Sequence, residues 1–169
     1  MRQHPISTLL CCVLFLAVTA APISAQDLPQ ECRQALEVRS PQGQIDLFTR
    51  CLDTGRVNGE SKATTLKQRA VAYMHLGQHK RAIEDINQAV KLRPDDADNY
   101  YLRGFSYRAL NDNERAVEDC NRAINLDRNF AAAYATRAFA HKSLGNLSQA
   151  RSDAQRALLL DSSVKVPSF

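Results

Sequence analysis

Apolar and small residues return along this chain with the period of a helix, and the helices themselves return every 34 residues. Reading down from Ala63, one position is held by Leu66, Tyr100 and Tyr134, the next by Ala70, Gly104 and Ala138, the next by Tyr73, Tyr107 and His141, and then Leu76, Leu110 and Leu144 fall together. The agreement resumes after Gly77, Asn111 and Gly145 with Ala82, Ala116 and Ala150, then Ala89, Ala123 and Ala157, and ends on Leu92, Leu126 and Leu160. Each of the units 63–96, 97–130 and 131–164 therefore reads as two amphipathic helices reversing near the glycine or asparagine.

Small residues mark where the two helices of a unit cross. Ala70, Gly104 and Ala138 face Ala82, Ala116 and Ala150, because close approach of two helix axes leaves little volume between them. Arg93-Pro94-Asp95-Asp96 stops one helix and caps the next. A charged pair recurs with the same period: Arg69, Arg103 and Arg137 at one position, Asp85, Asp119 and Asp153 at another. In an antiparallel hairpin these positions lie nearly level, which predicts a ladder of ion pairs inside or between units that sets register more than it adds stability. Solvated surface charges are the alternative.

Upstream of the repeats the pattern changes twice. An apolar run from Leu9 to Ala21, interrupted by Thr19 and followed by small residues up to Ala25, has the layout of a signal peptide over 1–25. The run is shorter than the roughly 20 residues of a spanning helix, so no integral membrane span is expected after cleavage. The stretch 26–62 reads as a helical hairpin, Leu28 to Arg39 and Gln42 to Thr54, broken at Ser40-Pro41. Cys32 and Cys51 each lie about nine residues from that break, level with one another, and an oxidising compartment would pair them. Two separate buried thiols are the alternative. Cys120 shares its position with Ile86 and Ala154 and reads as a packed apolar residue. A periplasmic or secreted location follows as an expectation.

Charge narrows the partners. Loss of Arg2 with the leader leaves 21 of the 22 basic residues against 18 acidic ones, a net of +3, which gives no reason to expect nucleic acid. Chemistry is equally unprompted. His75 and His79 are separated by the turn at Gly77 and do not share a helical face, and no nucleophile set or phosphate loop stands out. The expectation is a protein that is not an enzyme, with no cofactor and no metal.

The three units resemble tetratricopeptide repeats. Their Arg-Gly or Arg-Ala in the first helix and Asp in the second, behind a cysteine-bearing stretch ending Cys51-Leu52-Asp53-Thr54-Gly55, are similar to those of exported proteins of Gram-negative bacteria. The resemblance implies an all-α, right-handed solenoid of helical hairpins, with 26–62 as a worn repeat or cap and 165–169 as a tail. It also implies a concave groove lined by first helices, here carrying Lys67, Met74, Tyr101, Phe105, Arg108, Phe139 and Lys142. Phe105 and Phe139 would anchor a protein or peptide ligand, with the three cations steering acidic flanks. The alternative is that the rings complete packing between helices. Relatives that clamp the C-terminal carboxylate of chaperones do so with Lys and Asn, then Asn, then Lys and Arg. Only Lys67 matches; Val71, Leu102, Ala132 and Thr136 hold the other places, so that clamp is not expected.

The reading that results is a protein-binding scaffold or adaptor. Its alternative is a homo-oligomeric component of a cell-envelope complex, with a homodimer through the last helix, whose Leu158 to Leu160 have no polar capping helix after them.

Overall fold

The computed structural model describes residues 29–169; the expected leader over 1–25, and residues 26–28 of the hairpin, lie outside the described residues. Eight helices follow one another among the described residues: α1 (Gln30–Glu37), α2 (Pro41–Asp53), α3 (Gly59–His75), α4 (His79–Leu92), α5 (Ala97–Ala109), α6 (Asn113–Leu126), α7 (Ala131–Ser143) and α8 (Leu147–Leu160). None of them is long and apolar enough to cross a membrane. Consecutive helices pack against one another from α1 to α8, and first helices also touch across units, α3 to α5 and α5 to α7. The result is an all-α solenoid of hairpins.

The reversals inside the units share one construction. At the end of α3 the Gly77 N–H donates to the Met74 carbonyl and the Gln78 N–H to the Tyr73 carbonyl, both at 2.9 Å. This pair of bonds absorbs carbonyls the helix leaves unpaired, and it needs a left-handed residue after the last turn. Gly77 supplies it at φ 70° and Gly145 at φ 79°. Asn111 does so at φ 62°, the one non-glycine with positive φ among the described residues. Between units, the Asp96 carboxylate accepts from the Asp98 N–H at 3.0 Å and starts α5.

The interior is made of small side chains. Ala70, Ala82, Ala89, Ala116, Ala123, Ala138, Ala150 and Ala157 are wholly buried. At the second crossing a Cβ on Gly104 would lie 3.2 Å from the Ala116 carbonyl oxygen and 3.2 Å from Cys120 Sγ. Between units the contacts are larger: Tyr100, Ile124 and Ala133 form a core with Val90, Phe130 and Tyr134 around it.

The N-terminal hairpin continues the stack. Leu52 of α2 packs on Ala63, Leu66 and Ala89, and also on the cluster of Cys32, Cys51 and Val57. Cys32 and Cys51 are joined in a disulfide with their Cα atoms 5.2 Å apart. Ser40 caps α2 and Pro41 is its first residue. The helix that opens the first unit differs from the periodic boundary. α3 begins at Gly59, four residues before Ala63, and its seventeen residues exceed the thirteen of α5 or α7. No counterpart of Arg93-Pro94-Asp95-Asp96 stands before Ala63 to interrupt it, so the helix runs back until Asn58 and Gly59.

Candidate functional site

The recurring charges sit at the joints of the solenoid. Arg69 Nε and Nη2 donate to the two carboxylate oxygens of Asp85 at 2.8 and 2.7 Å. Arg137 meets Asp153 in the same way at 2.7 and 2.6 Å. The remaining nitrogen reaches backward: Nη1 of Arg69 donates to Thr49 on α2, that of Arg103 to Asn87 on α4, and that of Arg137 to Asn121 on α6. Each guanidinium thus ties its own hairpin to the second helix of the unit before. The hydrogen bond to the partner aspartate holds the Arg69 and Arg103 guanidinium groups above their ordinary pKa. Asp85, Asp119 and Asp153 are all buried, so these pairs lie within the packing of the hairpins.

The first-helix residues divide into three groups. Tyr101, Phe105, Arg108 and Phe139 are brought together at a cleft of about 350 Å³ between α5 and α7, whose floor is Ala132, Ala135 and Thr136. The Arg108 guanidinium carbon lies 5.0 Å from the centre of the Phe105 ring and 5.3 Å from that of Phe139. Tyr101 stacks obliquely on Phe130 at 4.9 Å and on Phe105 at 6.3 Å. Both phenylalanines are half-buried, so each has one side in the packing and one toward the cleft.

Lys67 and Met74 are placed elsewhere. Lys67 Nζ is held by Asp96 at 2.9 Å and Asp98 at 3.2 Å, the cap and the first turn of α5. Met74 packs on the cluster of Ala70, Ala82 and Ile86.

Lys142 does a third thing. Its Nζ donates to the Ser168 carbonyl at 2.6 Å and lies 5.8 Å from the Phe169 ring, while Arg151 of α8 approaches the same ring at 5.4 Å. The segment after α8 is folded back along α7, Pro167 is buried, and Val164 and Lys165 form one wall of the cleft. Val164 and Lys165 are cleft residues that periodicity does not reveal, because their positions equal Phe130 and Ala131 at the junction between units, where no groove residue is expected.

Burial shapes the titratable groups nearby. Desolvation lowers the His79 pKa, helped by the Arg108 charge, and desolvation lowers that of His141. It pushes the Cys120 thiol up to about 12, which keeps that buried sulfur protonated and unreactive.

Residues 63–96 and 97–130 each match a model of the tetratricopeptide repeat. Curated protein sequences give no match. Among solved structures, the chain is similar to the second tetratricopeptide domain of Spaghetti (RPAP3) bound to the HSP90 peptide SRMEEVD, with 30% identity over 60% of this chain and 94% of that one and a TM-score of 0.59. It is likewise similar to the second tetratricopeptide domain of human RPAP3 in complex with the HSP70 peptide SGPTIEEVD, at 30% identity, 64% and 90% coverage and a TM-score of 0.60. MamA shares the fold at 22% identity, a TM-score of 0.69, and 77% and 74% coverage. With two repeats matched directly and the third built on the same hairpin, the chain belongs to the tetratricopeptide repeat family.

Proposed function

We infer that this protein is a peptide-binding scaffold, acting outside the cytoplasm, that holds an extended or helical segment of a partner against α5 and α7. The observation that carries the reading is the cleft: two half-exposed phenyl rings and a guanidinium converge on it, in the residue types that dominate binding hot spots. Peptide complexes of the similar RPAP3 domains support a ligand of that kind. The way of binding differs from a terminal-carboxylate clamp. Val71, Leu102, Ala132 and Thr136 offer none of the amide or cationic donors such a clamp needs, and Lys67 is occupied by Asp96 and Asp98.

An extracytoplasmic setting is supported by the leader-like sequence over 1–25 and by the Cys32–Cys51 disulfide. A second reading, a homo-oligomeric component of an envelope complex, draws on α8, where Leu159 is 80% exposed beside the partly exposed Leu158.

Affinity capture from cell-envelope extract separates the two. The protein is run beside a variant carrying Phe105→Ala and Phe139→Ala, and beside another carrying Leu158→Gln and Leu159→Gln. Groove binding predicts a partner lost from the first variant and kept by the second, with both folded by circular dichroism. Capture unaffected by the phenylalanine changes and abolished by the leucine changes would overturn it in favour of assembly.

A further inference from the structure

The charges around the cleft are all of one sign. Arg108 comes from α5 and Lys165 from the segment after α8, and no acidic residue lines the space between them. The other groove cations are already engaged, Lys67 by two carboxylates and Lys142 by the Ser168 carbonyl. Arg108 forms no ion pair among the described residues, and its buried Nε has no hydrogen-bond partner. The other arginines in the first helices of the three units, Arg69, Arg103 and Arg137, each have a bidentate aspartate. Folding alone therefore leaves Arg108 half-buried beside two rings, with its Nε buried and unpaired, an arrangement that costs free energy until an anion arrives.

Two rings flank that guanidinium, at 5.0 and 5.3 Å from its carbon, and a guanidinium held in place presents its outer nitrogens as a fork matched to a carboxylate. Resting on the groove reading above, we propose that Arg108 is the docking point for a single Asp or Glu side chain of an extended peptide. The apolar side chain beside that acid lies against Phe139 and Val164, and Lys165 adds attraction from the opposite wall. A side-chain carboxylate suits the place better than a chain end, because its stem reaches down between the phenyl rings while the peptide backbone stays above them. The ligand is thus recognised by one internal acid next to an apolar residue, not by acidic flanks on both sides.

The test is selection of short random peptides displayed internally, without free ends, on the full-length chain, followed by binding of the selected sequence as an acetylated, amidated peptide. The expected peptides carry Asp or Glu next to an aromatic or branched residue. Exchanging that acid for its amide weakens binding about tenfold, equivalent to about 1.4 kcal/mol. Arg108→Gln does the same, and the two losses do not add, while Arg108→Lys retains part of the affinity and confirms that the groove is intact. Peptides that bind, depend on Phe105 and Phe139, and ignore both the amide exchange and Arg108→Gln would overturn this proposal while leaving groove binding standing. Binding of the selected sequence only when its C-terminal carboxylate is left free, and not as the amide, would overturn the side-chain assignment. Selection of no peptide, or of peptides indifferent to Phe105 and Phe139, would sink the groove reading and this proposal together.

Discussion

Arg103 and Asp119, sixteen residues apart, are joined by two parallel hydrogen bonds, Nε to Oδ2 at 2.7 Å and Nη2 to Oδ1 at 2.8 Å, while the third nitrogen of the same guanidinium reaches Asn87 of the preceding unit at 2.8 Å. Asp119 is buried, so removing the arginine strands a carboxylate away from water. Arg103→Met is expected to cost about 3 to 5 kcal/mol, Asp119→Leu a similar amount, and the double substitution clearly less than their sum. Urea denaturation of the four proteins checks this. Additive losses would mean the two side chains are not coupled.

The crossing at Gly104 admits little. A Cβ there meets the Ala116 carbonyl and Cys120 Sγ at 3.2 Å and Asp119 Cβ at 3.3 Å, which a larger side chain could accommodate only by parting α5 from α6. Gly104→Leu is expected to destabilise by about 1 to 3 kcal/mol. Gly104→Ala gains about 1 kcal/mol or less in helix preference against a squeezed contact, so its net change stays small. Thermal melts of the two variants distinguish these cases, and an unchanged midpoint for the leucine variant would contradict the observed crossing.

Reduction should act locally. The Cys32–Cys51 bond spans nineteen residues and ties α1 to α2 only. Its loss is expected to cost the hairpin about 3 kcal/mol. Amide exchange should quicken in α1 and α2 and stay slow in α5 to α8. In the same reduced sample, iodoacetamide at mildly alkaline pH should label Cys32 and Cys51 as the loosened hairpin opens, and spare Cys120, which stays buried in α6 and is pushed up to about 12. Mass spectrometry showing a modified Cys120 would mean that α6 opens more readily than its packing implies.

Mild acid should weaken the fold through His79 and His141. Burial lowers both below the ordinary value of 6.5, with Arg108 adding to the effect at His79 and Arg137 opposing Asp153 at His141. The unfolded chain then binds more protons than the folded one between the lowered value and 6.5, so stability falls as pH drops through that window and is intact above it. Urea midpoints measured from about pH 7.5 down to about pH 5.5 should decline before any aspartate titrates. His141→Tyr with Gln149→Arg rebuilds the ring and guanidinium contact that Tyr73 makes with Arg81 and Tyr107 with Arg115. That variant should lose part of the decline, and an unaltered slope would assign the acid sensitivity elsewhere.

Much of the architecture is legible in the chain because it is local. The left-handed turn at Gly77 and the capping by Asp96 each depend on residues within one turn of helix, and the level placement of Arg69 with Asp85 follows from counting to that turn. The periodic boundary at Ala63 was less informative, since α3 continues to Gly59 in the absence of a breaker. Of the expected groove residues, Tyr101, Phe105, Arg108 and Phe139 converge in the structure, while Lys67, Met74 and Lys142 do not join them.

That division has a physical cause. By itself the sequence determined the repeat, the helical hairpins, their turns and the positions that must stay small, because a period of 34 residues and the need to bury one face of each helix leave few other solutions. Which cations remain free was decided only by tertiary structure. Lys67 finds its acids 29 and 31 residues away and Lys142 its carbonyl 26 residues away, distances in sequence that obey no repeat. The charge of a groove is what remains after such pairings, and they exist only once neighbouring units and the segment behind α8 have packed together.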